Sequence, residues 1–166
     1  MKNLNIAIKF TPIEQIFSEE ELNQMMKVIN PQPKECYRNN WLFALMMKSK
    51  YPSIDYCEGM YNAFYVHAFN SLIVNGVRHY VDFSSYYLYK RHGIERCDTA
   101  IVLRQYTVME MKPIIDRHGF EGCIIDLDGT FDRYLDKLCR RYNKVAEFIE
   151  ERDKLKKKEV HAIGIC

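Results

Sequence analysis

A two-residue hairpin constrains this chain more than any other local feature. Asn75-Gly76 stands between two β-forming runs, residues 63–74 and 77–84. Asn-Gly favours the tight turn with positive φ at both central residues, whose twist matches that of paired strands. If these two residues form the loop, Val74 faces Val77, Phe69 faces Asp82 and His67 faces Ser84. Side chains alternate faces along a strand, so His67 and Asp82 share a face as diagonal neighbours, about 7–8 Å apart at the backbone. The turn alone therefore predicts a histidine–aspartate pair.

Other elements are read from caps, breakers and periodicity. Residues 4–10 alternate weakly and predict a short strand. Ser18-Glu-Glu-Glu21 is a capping box opening a helix to about Ile29, and Asn30-Pro-Gln-Pro33 breaks it. A second helix starts at Cys36 and ends by Tyr51-Pro52, since a residue before proline avoids the helical region. Strands are expected over about 54–58, 63–74, 77–84 and 101–104, with a helix over 86–91 capped at Gly93. Thr107-Val-Met-Glu110 is a second capping box; its helix carries Pro113 near the first turn and ends before Gly119. From Phe131 to about Lys157, apolar residues recur at helical spacing. With no repeat or linker, one α+β domain is expected over 1–166, with a core at about 30–105 and a helical C-terminal elaboration at about 107–158.

Composition excludes several classes. At 166 residues and 48% hydrophobic, the chain is long enough to bury a core, and twelve Tyr and nine Phe argue against disorder. A net charge of +2 points to neither nucleic acid nor an acidic partner. Lys154-Leu-Lys-Lys-Lys158 reads as the solvated end of a helix. No apolar run approaches the roughly 20 residues of a membrane span, and the N-terminus lacks the pattern of a signal peptide. A cytoplasmic location is expected. The six cysteines form no metal-ligand spacing with the five histidines, so thiols are expected and neither a metal nor an organic cofactor is implied.

Cys36 differs from the other cysteines in its surroundings. A helix N-terminus helps lower a thiol pKa, a nearby imidazole supplies a base, and a carboxylate orients that imidazole. Thirty-one residues separate Cys36 from His67, and fifteen separate His67 from Asp82. A helix-opening cysteine, then Tyr56-Cys-Glu-Gly59, then His67-Ala-Phe69, then Asp82-Phe-Ser84 resembles the core of the transglutaminase-like superfamily over about residues 34–86. That resemblance implies a papain-like core in which a cysteine helix packs on an antiparallel sheet. It implies Cys36 as nucleophile, His67 as general base and acid, and Asp82 as orienter. Phe69 stands where tryptophan is usual, and Ser84 replaces a common threonine. The implied chemistry is amide-bond hydrolysis or acyl transfer on a peptide or protein through a thioester. The alternative is a non-catalytic binding or inhibitory module on the same scaffold.

Around that triad, the backbone N–H of Cys36 is the first oxyanion donor to consider. Gln32 is a second candidate, or else an exposed loop residue. Asn39, Glu58 and Asn70 are candidates to line a pocket, or else to satisfy backbone groups. Ile124-Ile-Asp-Leu-Asp-Gly-Thr-Phe131 matches the first motif of haloacid-dehalogenase-like phosphatases, in which Asp126 and Asp128 would hold Mg²⁺. Too little chain follows to build the rest of that fold, so a turn and helix cap are expected there instead.

Overall fold

A computed structural model of the chain describes residues 2–61, 65–119 and 122–142. It is an α+β protein built on one five-stranded antiparallel sheet. The strands are β1 (Lys2–Lys9), β2 (Asp55–Tyr61), β3 (Tyr65–Val74), β4 (Val77–Val81) and β5 (Thr99–Thr107), in spatial order β1-β5-β2-β3-β4. The helices are α1 (Glu19–Ile29), α2 (Cys36–Met47), α3 (Phe83–His92), α4 (Val108–His118), the single turn α5 (Ile124–Leu127) and α6 (Thr130–Tyr142).

Local chemistry explains where these elements begin. Ser18 accepts from the Glu21 amide while the Glu21 carboxylate accepts from the Ser18 amide, and Thr107 and Glu110 repeat the device at α4. Pro113 falls in the second turn of α4, later than expected. The long amphipathic helix is described as far as Tyr142; the remainder of that expected helix, and the lysine run, lie outside the described residues.

Asn75 and Gly76 form the turn, with φ of 50° and 77°, and the register follows: Val74 pairs with Val77, Leu72 with His79 and Asn70 with Val81. Two expectations need correction. β4 stops at Val81, and the chain turns into α3 at Phe83, three residues before the expected helix start. β5 is a long strand with partners on both sides, so β1, placed outside the expected core, belongs to the same sheet.

Two apolar clusters share the sheet. The larger gathers Tyr56, Met60, Ala68 and Leu72 with buried residues of every helix, among them Leu22, Trp41, Phe83, Met111, Ile125 and Phe131. The smaller holds Ile8, Cys57, Phe69, Ala100 and Val102, with Phe10 and Tyr80 against it. Gly59 marks the irregular join between β2 and β5. A Cβ there would stand 1.9 Å from the Ile101 carbonyl oxygen, so only glycine lets the two backbones close.

Candidate functional site

Strand β3 and the start of α3 bring two titratable side chains together. His67 Nε2 lies 2.6 Å from Asp82 Oδ2, with exposures of 2% and 7%. The imidazole also packs on the Tyr61 ring at 4.5 Å and the Phe69 ring at 6.4 Å. Asp82 caps α3, its Oδ1 accepting from the Ser85 backbone N–H at 3.0 Å. The carboxylate thus orients the imidazole with one oxygen and starts a helix with the other. The capping role was readable in the sequence, because Asp82 stands three residues before Ser85 at the edge of a strand.

Cys36 is the first residue of α2 and is 1% exposed, in the larger core. The residue that connects it to the pair is Asn40, which the sequence reading passed over for Asn39. Asn40 Nδ2 donates to the Cys36 carbonyl at 3.0 Å, the Ala68 carbonyl at 2.8 Å and Asp82 Oδ1 at 3.2 Å. Its Oδ1 accepts from the Phe83 N–H at 3.0 Å. One carboxamide therefore touches the cysteine's own backbone, the strand bearing His67, and the aspartate.

The four secondary candidates make hydrogen bonds within the fold. Gln32 is exposed, its amide donating to the Asn30 carbonyl. Asn39 is fully buried; its Oδ1 accepts from the Gln32 N–H, and its Nδ2 donates to the Gln32 carbonyl and Ser84 Oγ. Asn70 donates to the Asn40 and Asp55 carbonyls, fastening α2 to the sheet. Glu58, also fully buried, accepts from Tyr56 Oη and from the N–H groups of Ile124 and Ile125. Burial pushes the Glu58 carboxyl up to about 7, against the pull of those three donors. Asn39, Glu58 and Asn70 act as fasteners for backbone groups. A cavity of about 100 Å³ opens beside Asp82 and Ser85, bounded by Phe10, Thr11, Arg96 and Cys97. A larger one of about 600 Å³ lies elsewhere, between Leu103 and Arg104 of β5 and the Thr130–Lys137 face of α6.

The phosphatase-like motif has the wrong shape. Its apolar run, expected to be a strand in such enzymes, is the helical turn α5. Asp128 Oδ1 accepts from the Thr130 N–H at 2.8 Å, and its Oδ2 pairs with Arg104, so this carboxylate organises the turn into α6. The side chain of Asp126 lies outside the described residues. Among the described residues, no group of three or more His, Cys, Asp or Glu is arranged to hold a metal ion, and no helix is long and apolar enough to cross a membrane. Cys36, Cys57, Cys97 and Cys123 carry thiols rather than disulfides.

The fold and site define an α+β protein with a buried histidine–aspartate pair linked to a helix-opening cysteine. No family model, curated protein or solved structure matches the chain.

Proposed function

We propose that the chain is a cysteine-dependent hydrolase or acyltransferase acting on an amide bond of a peptide or protein, on a papain- or transglutaminase-like scaffold. The observation that carries this reading is the short, buried His67–Asp82 contact, tied through Asn40 to the helix start at Cys36. A buried imidazole held at 2.6 Å by a carboxylate has one ring nitrogen fixed and its tautomer chosen. With Nε2 committed to Asp82, the exchange of a proton with the Cys36 thiol falls to Nδ1. The thiolate then attacks the carbonyl carbon, the imidazolium protonates the leaving amine, and water or a second amine resolves the thioester. The Cys36 backbone N–H, in the first turn of α2, is the oxyanion donor in this scheme.

Alkylation with iodoacetamide at near-neutral pH, followed by peptide mass mapping, tests the proposal. Cys36 is expected to react first of the six thiols and to slow sharply in His67→Ala. Equal labelling of several cysteines, with Cys36 among the slow ones, sinks the assignment. A second reading, a non-catalytic binding or inhibitory module, draws support from one observation: Cys36 and His67 are almost wholly buried. A thiol inert to small electrophiles is what that reading predicts.

A further inference from the structure

We propose that Asn40 is a positioning residue of the site, holding the Asp82 carboxylate against His67 and locking that pair to the first turn of α2. This deepens the functional reading above and rests on it.

Asn70 pairs with Val81, so in an unbroken ladder Ala68 would pair with Phe83. The chain has already left the sheet by then, because Asp82 caps α3. Departure removes, among others, the bond that the Phe83 N–H would have given to the Ala68 carbonyl, in a buried place where an unmet polar group is costly. Asn40 fills the gap. Its Nδ2 donates to Ala68 O and its Oδ1 accepts from Phe83 N, so the side-chain amide stands where a rung of the ladder is missing.

That placement has a chemical consequence. The same Nδ2 reaches Asp82 Oδ1 and the Cys36 carbonyl, and Asn40 is 0% exposed, so no water substitutes for it. Asp82 Oδ1 is then held by the Ser85 N–H and the Asn40 amide together, which fixes the plane of the carboxylate. Its Oδ2 must point at His67. Asn70, on the same seam, bonds only to backbone carbonyls and reaches neither Asp82 nor Cys36. Asparagine has the reach and the donor–acceptor pair this place requires; aspartate in its position would set a carboxylate against three oxygens.

The test uses the full chain with iodoacetamide as probe, comparing wild type, Asn40→Ala, Asn40→Asp and Met47→Ala. The last truncates the core of the same helix and takes no part in these hydrogen bonds. Cys36 alkylation is followed against pH, and the His67 ring against pH by NMR; Asp82 and Tyr61 are titratable groups that lie against that ring. Asn40→Ala is expected to slow Cys36 alkylation about ten- to a hundredfold at neutral pH, as misplacement of a catalytic group does. Asn40→Asp should raise the His67 midpoint by about one pH unit, since a second carboxylate favours the imidazolium. Met47→Ala should lose stability without either change. In the wild type, which needs no variant to fold, the Asn40 side-chain NH₂ signals should shift with the same midpoint as His67. Asn40 signals indifferent to the His67 titration, or an Asn40→Ala rate no lower than that of Met47→Ala, overturn the proposal. A wild-type Cys36 no more reactive than the other thiols sinks the functional reading instead, while the coupled NMR titration still decides the role of Asn40.

Discussion

Asp82, at the entry to α3, and Glu58, on β2, are both buried carboxylates, yet they are solvated in different ways. Asp82 faces an imidazole, a carboxamide and one backbone N–H, and three elements converge on it: α2, β3 and α3. Glu58 faces a phenol and two backbone N–H groups, and no cation stands among its hydrogen-bond partners. The first arrangement sets an imidazole, a group able to carry a proton on either nitrogen, against the carboxylate. The second fastens α5 onto β2 and leaves the carboxyl holding its proton to about pH 7. Burial alone is common to both; the partner decides whether a buried carboxylate reads as chemistry or as architecture.

The largest expected effect separates the two sites directly. Asp82→Asn keeps an acceptable helix cap but loses the charge that orients the imidazole, so it should cost on the order of a thousandfold or more in turnover of an amide substrate. The Glu58→Gln variant, assayed alongside, should remain within a few-fold of wild type. If both variants lose the same amount, the distinction drawn here is wrong. Next comes the backbone both sites share: Gly59 sits opposite His67 and against Ile101, so Gly59→Ala should destabilise by about 3 kcal/mol or more in chemical denaturation.

A pH effect sharpens the comparison further. In the unfolded chain Glu58 gives up its proton near 4.5, and in the native chain near 7. Between those values the native state binds the extra proton, so its contribution to stability is complete at low pH and is lost as pH rises through 4.5 to 7. The loss is at most about 3 kcal/mol. Urea melts across that window should show the wild type falling relative to Glu58→Gln. The smallest effect concerns Asp128: its replacement by Asn should cost about 1 kcal/mol or less in thermal denaturation and leave Cys36 alkylation unchanged.

What the sequence disclosed and what it hid divide by locality. Asn75-Gly76, the two capping boxes and the start of α2 at Cys36 are written within a few residues, and each was legible before any coordinate. The turn sets the register as far as Asn70 and Val81, and Asp82, the next residue, meets His67 where the chain leaves the strand for α3. β5 exceeds the 101–104 expected of it and β1 joins the central sheet, because pairing between residues about 100 apart leaves no local trace. Asn39 and Asn40 both lie one turn after Cys36, so sequence spacing cannot rank them. Only the place where β4 ends tells which carboxamide meets the stranded backbone groups. Asp82 at the edge of a strand, three residues before Ser85, was the one missed signal that was available.

The strand order carries a consequence for how the molecule assembles. β2, β3 and β4 are neighbours in sequence and can pair as soon as they exist, by short loop closures. Among the described strands β1 pairs with β5 alone, whose residues lie beyond Cys97. Of these five strands the first to be made is therefore the last to find its partner, and until then its Leu4, Ile6 and Ile8 wait for a sheet that does not yet reach them. β5 pairs along both of its edges, with β1 on one side and β2 on the other. The step most exposed to misassembly is thus the arrival of residues 99–107, which stand one strand beyond the Gly59 that faces His67.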